Sequence, residues 1–181
     1  MNRIIKDALF GALGGLAGTF VIGKVIGAAS KLQSEEDRKL EQLLIQEQPT
    51  ERLARRVVRR VFGVEVEDET KASMGKFVHW GYGTFWGAVY GVLRNRVPVV
   101  SWGAGLPFGV SFALFGQAVM LPMTELTPPA HYFPLSAHLR GLTAHYAYAA
   151  TAEAVCSLAE SVEKAVNPEA ARTNPDLRRV S

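Results

Sequence analysis

Five polar or ionisable side chains interrupt the apolar stretches of this sequence: Lys24, His79, Tyr90, His145 and Glu153. Three kinds of chemistry could use them. A carboxyl and an imidazole in an apolar setting can pass protons between them, as a proton- or ion-coupled carrier requires. Two histidines can be the axial ligands of a haem. The same side chains can also hydrogen-bond between helices and fix their packing.

Helical spacing places these residues in stripes. His145 and Glu153 share one face of a helix at i and i+8, and His79 and Tyr90 lie on one stripe of another helix. Both histidines fall near the start of their apolar stretches, so we expect them at similar depth, with Glu153 deeper. The spacing therefore allows a relay, a haem site or a packing contact, and does not choose among them.

Four apolar stretches could hold these side chains in a membrane, at residues 8–30, 77–93, 97–123 and 141–159. Each approaches the 20 or so residues that a helix needs to cross a bilayer. The 28 residues from Val97 to Thr124 contain no Asp, Glu, Lys or Arg, which favours a bilayer over the core of a soluble helical bundle. We predict an all-α polytopic membrane protein with four transmembrane helices in a bundle.

The predicted organisation has four parts. Residues 1–30 form the first transmembrane helix, 31–76 an extramembrane amphipathic helical loop, 77–160 a three-helix transmembrane region and 161–181 a polar tail. A cleaved signal peptide is the alternative for the first part, because a basic start precedes its apolar run. Pro107 predicts a kink in the third span.

Glycines favour a retained first helix. They recur at four-residue spacing, which lets helix backbones approach closely in lipid. The glycines predicted to pack are Gly11, Gly14, Gly15, Gly18, Gly23 and Gly27.

The loop at 31–76 carries ten basic and ten acidic residues. Its second amphipathic helix, at 51–62, has apolar residues on one side and arginines on the other. Such a helix can lie on an anionic lipid surface, face a protein partner, or pack on its own helix pair. The arginines concerned are Arg52, Arg55, Arg56, Arg59 and Arg60.

Several classes of function are excluded by pattern. The single cysteine, Cys156, rules out an internal disulfide framework and any cysteine cage for a metal. A net charge of +3 is too small to indicate nucleic-acid binding. Phosphate-binding loops, nucleophile elbows and zinc-protease helices are missing from the sequence. We therefore predict a protein that is not an enzyme and has no metal and no required cofactor, haem being the open alternative.

From His79 onward the sequence resembles the YagU-like family of bacterial inner-membrane proteins, a family of unknown function. The resemblance covers roughly residues 78–160, and the 31–76 loop departs from it. It is carried by ordered features at fixed spacing: His79, Tyr90, Trp102, Pro122, Leu126, Thr127, Pro128, Pro129, Pro134, His145 and Glu153.

The resemblance implies a multi-pass protein of the bacterial inner membrane. It favours cytoplasmic N- and C-termini, although a count of basic residues in the loops opposes that orientation. Packing features outnumber catalytic ones, so we expect a structural role, as an accessory subunit that docks in a larger membrane complex. Its expected partners are the lipid bilayer and other membrane subunits or a second copy. A small carrier using His145 and Glu153, and a haem protein using His79 and His145, are the alternatives.

Overall fold

The computed structural model describes residues 2–166, in which helices are joined by short turns and no strand occurs. The predicted all-α class is therefore confirmed. The helices are α1 (Arg3–Ser30), α2 (Glu35–Leu44), α3 (Pro49–Phe62), α4 (Asp68–Arg94), α5 (Trp102–Leu114), α6 (Leu121–Met123) and α7 (Leu135–Val166).

Local sequence explains where the loop helices begin and end. The Ser34 hydroxyl accepts from the Asp37 amide at 3.1 Å, and acidic residues fill the first turn of α2. Pro49 opens α3, where its missing N–H costs nothing. Gly63 closes α3 in a left-handed conformation with φ of 70°.

Four helices surround one core. Helix α1 packs against α4 and α7, and α5 packs against α7. Aromatic rings fill the space between them, with Tyr90, Phe108, Phe112 and Tyr148 all buried. Large apolar side chains such as Leu13 and Phe20 on α1 point outwards instead, and both are more than half exposed. The bundle is therefore apolar on the outside as well as inside.

Two helical segments, Arg3–Ser30 and Pro98–Met123, are long and apolar enough to cross a membrane. They coincide with the first and third predicted spans. The second and fourth predicted spans lie within α4 and α7. Helix α7 continues to Val166, so residues 161–166 of the predicted polar tail are helical, and the part of that prediction at 167–181 lies outside the described residues.

The third predicted span is broken, but not at Pro107. A 3-10 turn (Pro98–Ser101) is followed by three residues with positive φ, which are Gly103, Ala104 and Gly105. Right-handed helix begins after them, so Pro107 lies in its first turn, where a missing N–H is tolerated. The remaining 106–123 helix is roughly 27 Å long at 1.5 Å per residue, and contains a π-helical stretch at Phe115–Met120.

Candidate functional site

The main polar site lies between the end of α4 and the middle of α7. Tyr90 and Arg94 are one turn apart on α4, and Glu153 and Ser157 are one turn apart on α7. Arg94 Nε lies 2.9 Å from Glu153 Oε2, and Arg94 Nη2 lies 2.7 Å from Glu153 Oε1. The Tyr90 hydroxyl donates to Glu153 Oε2, and the Ser157 hydroxyl donates to Oε1 at 2.9 Å.

Glu160 extends this group of residues by a turn. Its Oε1 accepts from Arg94 Nη1 at 2.5 Å and from Asn95 Nδ2 at 3.0 Å. Together, Tyr90, Arg94, Glu153, Ser157 and Glu160 form what we call the Arg94–Glu153 network.

Helix α1 reaches the same end of the bundle through Asp7, whose side chain is only 3% exposed. Asp7 accepts from Arg96 Nη1 at 3.0 Å and from Asn95 Nδ2 at 3.3 Å. On the rim, Lys6 Nζ lies 2.7 Å from Glu163. The charges at this end thus link α1, α4 and α7.

Burial makes the pairing necessary. The Arg94 side chain is 6% exposed, and an ion removed from water is stable only when it is paired and hydrogen-bonded. Arg94 binds Glu153 through two parallel N–H···O bonds, the strongest geometry for this pair. Glu153 is thus a fully compensated carboxylate, whereas the sequence led us to weigh it as a proton-exchanging group.

The predicted histidines lie elsewhere. His145 Nδ1 lies 2.8 Å from the Gly141 carbonyl, and its ring meets Phe112 edge-on with centroids 5.0 Å apart. Eight residues separate His145 from Glu153, about 12 Å along α7. His79 is half-buried on α4. His145 and Glu153 therefore do not meet in one hydrogen-bonded relay.

Lys24 is exposed on α1, with Nζ 5.2 Å from the centroid of the Phe20 ring. This is a cation–π contact within one helix turn. It leaves Lys24 outside the polar site.

The glycines of α1 divide into two sets by helix face. A Cβ added at Gly15 would lie 2.5 Å from the Gly83 carbonyl oxygen, and one at Gly18 would lie 2.7 Å from Tyr148 Cδ2. A Cβ added at Gly11 would likewise overlap the backbone of Gly87 and Gly91 of α4. One added at Gly14 would overlap the backbone of Ala152 of α7. The four tightly packed glycines are thus Gly11, Gly14, Gly15 and Gly18.

Gly23 and Gly27 have no atom within 4 Å of an added Cβ. At 3.6 residues per turn they lie roughly 140° and 180° around the helix from Gly18. Within residues 2–166 they therefore contact no other helix, because four-residue spacing fixes a shared face but not which face is covered.

Arginines of α3 find partners within the chain. Arg55 forms a two-point pair with Glu47, at 2.8 and 3.1 Å. Hydrogen bonding to Arg55 holds the pKa of Glu47 below its usual value. Arg59 Nε lies 3.4 Å from Glu65. Arg60 is exposed and has no partner among residues 2–166.

Two further arginines cap the third helical segment. Arg56 donates to the carbonyls of Thr124 at 2.6 Å and Glu125 at 3.0 Å, and Arg52 lies 3.5 Å from the latter. Cations at a helix C-terminus are stabilised by its dipole. The arginine face of α3 is thus largely used inside the protein.

The Leu-Thr-Pro-Pro motif follows a helix end. The Leu126 amide donates to the Leu121 carbonyl and the Glu125 amide to Pro122, each at 2.9 Å, with Glu125 left-handed at φ of 55°. These two bonds define a Schellman cap. Leu126 is buried, Thr127 also bonds back to Leu121, and Pro128, Pro129 and Pro134 carry the chain to α7.

Sequence reasoning missed Arg94, Asp7 and Glu160. Arg94 directly follows the second apolar stretch, where an arginine stem can also extend to water. The signal in the sequence was limited to its position one turn after Tyr90. Gln117 was also missed. It lies in the π-helical stretch, and its side chain packs against Gly141 of α7. The sequence signal for it is a polar amide side chain within a charge-free segment.

Within residues 2–166, no group of three or more His, Cys, Asp or Glu side chains is arranged to hold a metal ion. The site that the structure defines is a buried ion-pair network in a helical bundle. Such networks hold helices together, and the two cavities described for residues 2–166, one between α3 and α4 and one lined by Trp86, Val100 and Phe112, include none of its members.

This chain belongs to a family described as protein of unknown function (DUF1440). Residues 57–154 match the family, which is more than half of the chain and runs from within α3 to Ala154 of α7. The match begins earlier than the region of the YagU-like resemblance, so the second half of α3 is part of the family pattern. Comparison with curated proteins and with solved structures gives no match.

Proposed function

We propose that this protein is an integral membrane protein of four spans with a structural role, as an accessory subunit that docks in a larger membrane complex. The spans are α1, α4, the segment from Pro98 to Met123, and α7. Two of them have the composition of a membrane span on their own. The close packing of α1 on α4 and α7 supports its retention in place of cleavage as a signal peptide.

The observation that carries the proposal is the compensation of Glu153. A carrier's carboxyl must gain and lose a proton during its cycle, and Glu153 accepts four hydrogen bonds from Arg94, Tyr90 and Ser157. These bonds fix α4 against α7. The polar residues therefore serve assembly of the bundle.

Outward-facing apolar side chains supply the surfaces for docking. On α1, Leu9, Leu13 and Phe20 are each at least half exposed, and Phe85 of α4 is similarly exposed. Lipid or another membrane subunit would cover them. The accessory role is tested by chemical cross-linking in the native membrane, with identification of what is joined to the chain.

A carrier is the second candidate, because the third segment is interrupted at Gly103–Gly105 and transporters use interrupted helices. The two functions differ in what Glu153→Gln does. For the structural role, the variant lowers the free energy of unfolding in detergent by roughly 3 kcal/mol, since Arg94 loses one of its two carboxylate partners. Glu163→Gln, on the more exposed Lys6 pair, is the control and has a smaller effect.

Proton flux in liposomes completes the test. A structural protein conducts no protons with either residue at 153. Flux that is present in the wild type and lost in a stably folded Glu153→Gln variant overturns the structural role in favour of the carrier. An absorption spectrum of the same purified sample tests the haem alternative, which requires a Soret band.

A further inference from the structure

A groove of about 610 Å³ runs between α3 and the first half of α4. Its walls are mostly apolar and include Leu53, Ala54, Val57, Met74, Phe77 and Val78. It lies outside the Arg94–Glu153 network, at the other end of the bundle. Nothing in the structural role proposed above uses it.

The groove continues onto an exposed apolar surface. Val57 is 50% exposed and Phe77 is 80% exposed, and the neighbouring Val61 and Phe62 on α3 are also exposed. Apolar clusters of this kind are unfavourable in water and indicate a binding surface. An apolar ligand would therefore fit here.

One cation, Arg60, follows the groove-lining residues of α3 along the helix. Arg60 lies three residues after Val57 on α3, about 60° around the helix from it. It is exposed and has no partner among the residues the structure describes. The other four arginines of α3 have carboxylate or carbonyl partners. Arg60 is thus free to bind an anion at the edge of an apolar groove.

The position along α4 matches a lipid. Along α4 the groove extends from Glu69 to Val78, about 14 Å at 1.5 Å per residue, and Phe77 begins the predicted span. The headgroup layer of a bilayer is roughly 5–7 Å thick on each side. A head group held by Arg60 would leave an acyl chain free to lie along Val57 and Phe77 in the apolar part of the groove.

We propose that the α3–α4 groove binds one anionic phospholipid, with its phosphate at Arg60 and an acyl chain along Val57 and Phe77. The proposal rests on the membrane placement given above. The exposed Arg60, which has no partner among the described residues, favours an anionic head group over a neutral one. Glu69, which also lines the groove, opposes the anion and limits its affinity.

Native mass spectrometry of the full chain, purified in a mild detergent and titrated with phosphatidylglycerol or phosphatidylcholine, tests this inference. We expect wild type to hold one phosphatidylglycerol in preference to phosphatidylcholine. Arg60→Gln should weaken phosphatidylglycerol binding about fivefold and abolish the preference. Arg38→Gln, at an exposed arginine on α2 away from the groove, should leave both unchanged.

Two more variants test the groove itself. Val57→Asn, at a half-exposed position, should reduce binding of both lipids, and Glu69→Gln should strengthen binding of phosphatidylglycerol. Equal binding of the two lipids by the wild type overturns the proposal, and so does a lipid preference that survives Arg60→Gln. A dimer of the chain without bound lipid overturns it as well. Release of the chain from membranes without detergent would instead defeat the membrane placement.

Discussion

Charged side chains have partners on other elements at both ends of the bundle. Arg94 is held by Glu153 at one end, and Arg140 of α7 is held by Glu41 of α2 at the other. Glu47, between α2 and α3, binds Arg55 and lies near Lys71 of α4. At the scale of single residues, ion pairs therefore attach the loop helices and join the long ones.

The Glu47 pair makes stability depend on pH. Because Arg55 holds the pKa of Glu47 below its usual value of 4.5, the carboxylate stabilises the fold fully above that value. The contribution is lost as the pH falls through the lowered pKa of the folded state. Glu47→Gln should flatten the decrease in unfolding free energy between about pH 5 and pH 3.

Thermal unfolding in detergent across this range measures the effect. Glu36→Gln, at an exposed position on α2, is the matched control. An acid-side slope that is the same in Glu47→Gln and the control would show that the Arg55 pair does not contribute.

Residue types at helical spacing allowed part of the polar site to be predicted. Tyr90 and Glu153 were singled out from the sequence, and the structure joins them. The pairing with Arg94 was not predictable from position alone. An arginine at the end of an apolar stretch can extend its side chain to water or pair with a buried carboxylate. Only the register of α4 against α7 decides which of the two occurs.

Helix packing depends on two glycine faces that meet. Gly11 and Gly15 of α1 contact Gly83, Gly87 and Gly91 of α4 at backbone distance. Contact this close maximises dispersion between helices that gain nothing from the hydrophobic effect in lipid. The four-residue spacing predicted close approach, but the partner helix and the covered face depend on tertiary structure.

Leucine substitutions separate the two sets of glycines. Gly15→Leu forces a side chain into the Gly83 carbonyl and should lower the unfolding free energy by at least about 3 kcal/mol, or prevent assembly of the bundle. Gly23→Leu enters open space and should change it by less than about 0.5 kcal/mol. Chemical unfolding in detergent micelles compares them. Equal losses would mean that Gly23 is packed in the protein as purified.

The broken third segment shows why element boundaries were harder to predict than elements. Its lack of charge predicted a single span, and Pro107 was the obvious place for a bend. The chain bends at Gly103, Ala104 and Gly105, because two glycines tolerate positive φ while a proline fits the first turn of a helix. A glycine pair upstream of a proline is thus the stronger signal.

The whole molecule has two polar ends separated by an apolar middle. One end holds Asp7, Arg96 and Glu160, and the other holds α2, α3 and Arg140. The all-α class was predictable from the charge segregation, since long apolar runs with helical stripes leave few alternatives. The identity of neighbouring helices was not predictable from the sequence, because the apolar helices have similar faces.

Single-cysteine labelling tests the arrangement of the ends. Asn2→Cys and Glu36→Cys place thiols at exposed positions at opposite ends, and the native Cys156 is 1% exposed and should stay unreactive. In sealed cells, a membrane-impermeant maleimide should label Glu36→Cys and not Asn2→Cys if the N-terminus is cytoplasmic. The reverse pattern would invert the orientation, and labelling of both from one side would contradict a spanning α1.

The glycine contacts of α1 also set an order of events during synthesis. Ser30 completes α1, but its partner surface on α4 is finished only at Arg94, which is 64 residues later. At 5–20 residues per second, α1 waits roughly 3–13 s before it can pair, and longer for Tyr148 and Ala152 of α7. During that interval the glycine face of α1 has no α4 or α7 surface to pack against.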